Sequence, residues 1–247
     1  VVGIGSEVPE QTQPERFRRS YGIRSRFAVY VGRVDENKGC PQLFEFFQRY
    51  AATSPGSLML VLVGSSVLPI PSDARIRHLG FLSDQDKFDA IAASDVLVMP
   101  SLYESLSMVA LEAWALGRPV LANGRCDVLR GQCLRSNAGL YYDNYDEFAE
   151  ALYRIQSDRA LADALGQNGR QFYCRNYTWP IIERKYLDVL DELRAEDRRA
   201  ERAARLEPLP GWFARRRKTL APSRGVMNRL PAGPVLDGRT GRDRRHE

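Results

Sequence analysis

Residues 95–117 read DVLVMPSLYESLSMVALEAWALG, in which an apolar run, a polar loop and a helical pattern follow one another. An apolar run of this length without alternation is typical of a strand buried on both faces, as in a parallel sheet. Pro100 ends the strand, and the spacing beyond it predicts a helix from Ser105 to Leu116. The segment therefore predicts a strand, a loop and a helix in succession.

The same succession recurs along the chain. Apolar runs predict further strands at residues 27–31, 58–63 and 119–122, with weaker candidates at 75–80 and 139–142. Helical patterns occupy residues 41–52, 83–93, 145–156 and 159–175. Alternating strands and helices predict the α/β class, with a Rossmann-like parallel sheet that carries helices on both faces.

The C-terminal part departs from this alternation. An amphipathic pattern over residues 180–206 predicts a helix that docks on another surface. From residue 207 onward, Pro and Gly recur too often for any periodicity, and Arg is frequent. We therefore predict a folded domain over residues 1–206 and a disordered basic tail over residues 207–247.

The net charge of +5 belongs to the end of the chain. Residues 194–247 hold 15 Lys or Arg against 7 Asp or Glu, which leaves 21 against 24 in the rest. The body lacks the clustered cations that nucleic acids require, so we predict no nucleic-acid partner. The alternative is nucleic-acid binding by the tail, which rests on Arg215-Arg216-Arg217-Lys218 alone. The basic tail suits a weak, salt-sensitive contact with an anionic membrane surface.

Composition also sets the expected location. The chain is 44% apolar and 27% charged, which excludes the collagen-like and wholly disordered classes. Its longest apolar runs fall short of the roughly 18 residues of a membrane span, and its four cysteines lack the spacing of a zinc site. We expect a cytoplasmic protein, peripheral at the membrane only if the tail holds it there.

Charged side chains follow the predicted strands, where ligands bind in an open parallel sheet. Arg33 and Lys38 come after the strand at 27–31, and an Arg with a Lys suits a diphosphate. Two solvated surface cations are the alternative interpretation. Glu104 and Ser107 lie at the start of the central helix, where free N–H groups favour an anion. The alternative for Glu104 is a simple partner of the helix dipole.

Glu112 lies eight residues beyond Glu104, a rise of about 12 Å along a helix. The two carboxylates therefore cannot act as acid and base on one bond, but they can hold two ends of an extended ligand. Apolar neighbours surround Glu112, and a carboxylate on a buried helix needs a partner. A solvated helix face is the alternative.

Two turns that contain glycine complete the set. Gly64 ends a strand, so the backbone there can approach a ligand closely, although a plain turn is equally consistent. At the turn Gly80-Phe81-Leu82, a base could lie against main-chain amides.

The chain thus carries a specific order of motifs: Gly32-Arg33 with Lys38-Gly39, Val63-Gly64, Gly80-Phe81, AASDVLVMPS at 92–101, Glu104-x7-Glu112 and Gly117-Arg118-Pro119-Val120. In this order they resemble the donor-binding half of retaining GT-B glycosyltransferases of the "glycosyl transferases group 1" type. The resemblance covers about residues 1–205.

The resemblance implies a role for each position. Arg33 and Lys38 would bind the donor diphosphate and offset the charge on the leaving nucleotide, while Glu104 would contact the sugar hydroxyls. These three are the expected catalytic residues, and Glu112 would accept hydrogen bonds from the ribose hydroxyls. The remaining nucleotide-sugar contacts would come from the backbone at Gly64, Gly80, Phe81, Leu82, Leu106 and Ser107.

The resemblance also implies transfer with retention from a nucleotide-diphosphate sugar, without a cofactor or a bound metal. The acceptor, whether glycan, lipid or small molecule, would be held by an N-terminal domain, and residues 1–5 resemble the linker to such a domain. We therefore expect the C-terminal half of a longer enzyme. The alternative is a stand-alone nucleotide-sugar-binding module without transfer activity. At residues 124–128, GRCDV replaces the usual Gly-rich loop and Pro-Glu, so we expect altered sugar contacts near Arg125 and Cys126.

Overall fold

The computed structural model describes residues 3–53 and 58–203. Within these ranges, the strands are β1 Phe27–Val31, β2 Met59–Val63, β3 Ile76–His78, β4 Val96–Met99, β5 Val120–Asn123 and β6 Gly139–Tyr142. They form one sheet in the order β3-β2-β1-β4-β5-β6, and every neighbouring pair is parallel. The predicted Rossmann-like sheet is confirmed, including its two weaker strands.

The described helices are α1 Pro14–Ser20, α2 Cys40–Thr53, α3 Asp84–Ala93, α4 Met108–Ala115, α5 Asp127–Ser136, α6 Tyr145–Ser157, α7 Arg159–Asn176 and α8 Trp179–Ala203. Strand β1 shows how they cover the sheet. Its residues Phe27, Val29 and Val31 pack with residues of α1, α3, α4 and α5, whereas Ala28 and Tyr30 pack with residues of α2 and α6. Helices therefore cover both faces of the sheet, as predicted. Each large apolar side chain that is fully buried between the layers stabilises the folded state by about 1.5–3 kcal/mol.

Helix α4 is seated on α7 through glycines. A Cβ atom on Gly166 would overlap the carbonyl oxygen of Gly117, and a Cβ atom on Gly169 would overlap the ring of Trp114. Trp114 is fully buried, and its indole Nε1 donates to the carbonyl of Ala138 at 2.9 Å. The close approach of α7 at Gly166 and Gly169 thus fixes the position of α4, the helix that carries Glu112.

The structure corrects three features of the predicted helices. Helices α1 and α5 were not predicted, and α4 begins at Met108 rather than at Ser105. The later start has a local cause, because the Ser107 side chain caps the helix and accepts from the Ala110 N–H at 3.3 Å. Glu104 therefore precedes the helix, and the expected helical rise of about 12 Å from it to Glu112 is wrong.

The described residues belong to two units, with the division between Leu187 and Asp188. The sheet and the candidate site belong to the first. Helix α8 confirms the predicted long helix; its Ile182 is buried, whereas Tyr186 and Leu190 are exposed. The predicted boundary at residues 206–207 and the tail over 207–247 lie outside the described residues. Among the helices of the described part, none is long and apolar enough to cross a lipid bilayer.

Candidate functional site

The strand order reverses between β1 and β4, because the chain proceeds from β1 to one side and from β4 to the other. Loops that follow two such strands diverge and leave a crevice at the carboxyl edge of the sheet. Here the two loops touch at Gly39, whose φ is +72° and whose added Cβ would overlap the Pro100 carbonyl. A residue with a side chain would force these loops apart.

Lys38 and Glu104 meet across these two loops. The Lys38 Nζ donates to Glu104 Oε1 at 2.8 Å, with the lysine side chain 38% exposed and the glutamate side chain 13% exposed. The pair lines a cleft of about 580 Å³, together with Tyr103, Ser105 and residues 125–128 at the start of α5. Two of the three predicted catalytic residues are therefore in direct contact.

Asp35 organises the other predicted catalytic residue. Its buried carboxylate accepts from the Lys38 backbone N–H at 2.8 Å through Oδ1 and from the Arg33 Nε through Oδ2. Burial alone would raise the pKa of Asp35, but the hydrogen bonds from Arg33 and Lys38 outweigh it and hold the pKa below its usual value. We did not predict Asp35, although an Asp side chain commonly accepts from a backbone N–H a few residues further along a turn, as Asp35 does from Lys38.

The loop after β1 is also held by hydrogen bonds from Tyr30 of β1 and to the neighbouring loop after β2. The buried Tyr30 hydroxyl donates to the Arg33 carbonyl at 2.7 Å, and burial raises the pKa of Tyr30, so the phenol stays protonated. The Val34 N–H donates to the Ser65 carbonyl at 2.8 Å in the neighbouring loop. The backbone that carries Arg33 and Lys38 is therefore set by protein contacts alone.

The turn predicted to hold the base lies beside the end of β2. The Gly64 N–H donates to the Gly80 carbonyl, and His78 Nε2 donates to the Gly64 carbonyl, each at 2.7 Å. A Cβ atom on Gly64 would overlap the Gly32 carbonyl, so close backbone packing suffices to explain this glycine. Gly80 has open space above its Cα, Phe81 is 87% exposed and Leu82 is half-buried.

At the start of α4, the Ser107 hydroxyl is committed to the protein. Its oxygen accepts from Ala110 N–H and donates to the Met99 sulfur at 3.9 Å, so it is not the free donor that we expected for a phosphate. The neighbouring Leu106 is half-buried. A phosphate contact at Leu106 or Ser107 would therefore use the backbone.

Glu112 lies in a different cleft, of about 540 Å³, that residues 7–10 and the start of α3 also line. Its Oε1 accepts from Lys87 Nζ at 3.0 Å, and its buried Oε2 has no hydrogen-bond partner among the described residues. Burial raises the pKa of Glu112, although the nearby Lys87 opposes the rise. Lys87 was not predicted, because no local pattern links residues 25 positions apart.

The departure noted at residues 124–128 belongs to the Lys38–Glu104 cleft, since Arg125 and Cys126 line it. In the part of the chain that the structure describes, no group of three His, Cys, Asp or Glu residues could hold a metal ion. The charged residues that line this cleft are Lys38, Glu104, Arg125 and Asp127, and Arg33 is not one of its lining residues.

The sheet order and the charged crevice at its reversal are typical of nucleotide-binding α/β domains. The sequence model of the family "Glycosyl transferases group 1" matches residues 13–172, and the chain belongs to this family. The resemblance to this family that the motifs indicate is thereby confirmed.

Individual relatives agree with this assignment. The chain is 28% identical over 202 residues to a D-inositol 3-phosphate glycosyltransferase of Corynebacterium efficiens, covering 72% of this chain and 47% of the relative. Sucrose-phosphate synthase from Thermosynechococcus elongatus has a similar structure, with a TM-score of 0.63 at 24% identity over 79% of this chain and 52% of that one. Anabaena HepE in complex with UDP gives 0.62 at 19% identity, over 72% and 52%. The chain spans about half the length of the curated relatives it matches.

Proposed function

We propose that this chain is the donor-binding part of a glycosyltransferase that moves a sugar, with retention, from a nucleotide-diphosphate sugar to an acceptor. The contact of Lys38 with Glu104 at the reversal of the strand order carries the proposal. It puts a cation suited to a phosphate beside a carboxylate suited to sugar hydroxyls. In a nucleotide-diphosphate sugar, the phosphate and the sugar are directly bonded, so their binding groups must lie side by side. Family membership and the UDP complex of the structurally similar HepE support this choice of ligand.

In this proposal, Arg33 and Lys38 bind the diphosphate and stabilise the negative charge that grows on it as the sugar leaves. Charge placed in advance where it develops in the transition state costs no reorganisation during the reaction. The buried carboxylate of Asp35 and the hydroxyl of Tyr30 supply that placement by fixing the loop. These cations provide the positive charge, so we expect no metal and no cofactor.

Glu104 accepts from sugar hydroxyls and orients the ring, and Glu112 accepts from the ribose hydroxyls. The unpartnered, buried Oε2 of Glu112 supports its role, because a buried carboxylate oxygen gains most from a hydroxyl donor. The open turn at Gly80, Phe81 and Leu82 holds the base through its main chain. Backbone groups at Leu106 and Ser107 meet the nucleotide diphosphate, whereas the N–H and the carbonyl of Gly64 are already bonded to Gly80 and His78.

The acceptor, a glycan, a lipid or a small molecule, lies on a surface that this chain does not supply by itself. Transfer requires the acceptor hydroxyl within reach of the anomeric carbon and water kept away from it. We therefore expect this chain to bind a donor nucleotide and to transfer no sugar on its own. A cytoplasmic location and a contact of the tail with anionic membranes stay predictions.

The test is a calorimetric titration of the chain with UDP, GDP and ADP and with UDP-glucose, GDP-mannose and ADP-glucose. One nucleotide series should bind with a stoichiometry of one. Arg154→Ala serves as the matched control, because Arg154 is an exposed cation of α6 paired with Glu150. Failure of all six compounds to bind would reject the proposed function.

A further inference from the structure

The two carboxylates beside the proposed diphosphate site hold their cations in different ways. Asp35 is buried, and it binds the Arg33 guanidinium together with the Lys38 backbone N–H. Glu104 binds only the ammonium of Lys38, and the lysine side chain remains partly exposed. Asp35 therefore fixes the loop, whereas the partner of the Lys38 ammonium can be exchanged.

The ammonium that Glu104 holds is the same group that the proposed function assigns to the diphosphate. An ammonium paired with a carboxylate at 2.8 Å has little net charge left for a further anion. A phosphate that takes Lys38 leaves Glu104 without its cation and close to new negative charge. Hydroxyl groups on a sugar attached to that phosphate can donate to Glu104 and replace the lost partner.

We propose, on the basis of the proposed function, that Glu104 competes with the donor diphosphate for Lys38 and that the sugar relieves this competition. The site then selects the nucleotide sugar over the bare nucleoside diphosphate. The same exchange acts after transfer, because departure of the sugar returns Glu104 to Lys38 and weakens the hold on the nucleotide product. Glu104 is thus a specificity-determining residue as well as a sugar contact.

Glu104→Gln tests the competition, because it removes the charge and keeps the shape. We expect the bare diphosphate of the nucleotide that the wild type accepts, among UDP, GDP and ADP, to bind about threefold to tenfold more tightly. The advantage of the matching nucleotide sugar over that diphosphate should shrink. Calorimetry gives both affinities, and the melting temperature checks that the variant folds.

Asp35→Asn is the matched control, since it makes the same change from carboxylate to amide on the same loop but at a carboxylate that binds Arg33 and the Lys38 backbone rather than the Lys38 ammonium. It should weaken binding of the bare diphosphate, because Arg33 and the Lys38 backbone lose their anchor. Opposite signs for the two variants separate competition from anchoring. If Glu104→Gln also weakens the bare diphosphate, or leaves it unchanged, the inference is wrong while wild-type binding still supports the proposed function.

A double-mutant cycle locates the competition on Lys38. In a Lys38→Met background, Glu104→Gln should improve binding of the bare diphosphate by less than twofold, because no ammonium remains to compete for. An undiminished gain in that background would show that Glu104 simply repels the diphosphate, which overturns the exchange. A wild-type chain that binds none of the nucleotides would overturn the proposed function and the inference together.

Discussion

Two lysine–glutamate pairs lie in two clefts of similar volume, and their surroundings differ. Lys38 and Glu104 join the loops that follow β1 and β4, with 2.8 Å between Nζ and Oε1. Lys87 and Glu112 join α3 and α4, with 3.0 Å between the same atoms. The second carboxylate is the more buried: its Oε2 has no hydrogen-bond partner among the described residues, and burial raises its pKa.

The difference follows from the elements that carry each pair. Loop residues at a strand end can change partners at small cost, which suits a lysine that must receive a phosphate. Glu112 is instead carried by the backbone of helix α4, and its Oε1 is paired with Lys87 on the neighbouring helix. The Lys38–Glu104 pair can thus exchange partners, whereas helix α4 holds Glu112 in one position.

The largest expected effect separates the two loops of the exchangeable pair. Gly39→Ala should lower the free energy of unfolding by about 2–4 kcal/mol, because a Cβ at φ +72° would overlap the Pro100 carbonyl. Gly80→Ala is the matched control, with the same φ of +72° and no atom within 4 Å, and should cost about 1–2 kcal/mol. Urea unfolding measures both. Equal losses would show that the contact between the loops does not matter.

Next in size is the loss of the cations. Arg33→Ala and Lys38→Ala should each weaken nucleotide-diphosphate binding about tenfold to a hundredfold, since a charge-assisted hydrogen bond contributes about 1.5–3 kcal/mol. Both variants should still fold, but Arg33→Ala should have the lower melting temperature, because it takes the guanidinium away from the buried Asp35 carboxylate. Calorimetry beside Arg154→Ala provides the comparison. Unchanged affinity in both variants would show that Arg33 and Lys38 do not bind the diphosphate.

A third prediction concerns the helix-borne carboxylate. The wild type should bind the ribose form of its nucleotide about tenfold more tightly than the 2′-deoxyribose form, because in the proposed function Glu112 accepts from the ribose hydroxyls. Glu112→Gln should reduce this preference, whereas Glu104→Gln should leave it intact. Equal binding of the two forms by the wild type would make Glu112 a structural residue.

The smallest effect is a change in how stability depends on pH. Because the folded pKa of Glu112 lies above its usual 4.5, the folded state keeps a proton that the unfolded state has lost as pH rises through that window. Glu112 therefore lowers stability as pH rises there, and Glu112→Gln should remove this decline. Asp35 has a lowered pKa, so stability falls as pH drops below its usual 3.8, and Asp35→Asn should remove that fall. Urea unfolding from pH 3 to 7 measures how the stability of each variant depends on pH. If Glu112→Gln and Asp35→Asn change this dependence in the same direction, the prediction is wrong.

Much of the sheet could be predicted from the sequence, because strands buried on both faces are apolar throughout, as in the fully buried β1. Helix α1 could not, since only Phe17 of its seven residues is buried and tertiary bonds hold it, such as Arg16 to Asp89 at 2.6 Å. Helix α5 has few buried apolar residues and therefore no clear amphipathic pattern.

Candidate site residues could be predicted where charged side chains come just after a strand, as Lys38 and Glu104 do. Nothing in the sequence indicates that these two residues, 66 positions apart, would bind each other. The pairing depends on which loops the sheet order brings together, and the strand order was not part of the prediction. For the same reason, Lys87 became visible only when α3 and α4 were placed side by side.

The glycine contacts between α7 and α4 also bear on how this domain could acquire new substrates. Because Gly166 and Gly169 leave α4 no room to shift, its amide hydrogens should exchange with deuterium far more slowly than those of residues 32–39 and 100–107. Sequence drift at the exposed Leu102 and Tyr103, on the loop after β4, can therefore alter which sugar fits without disturbing the packing of α4.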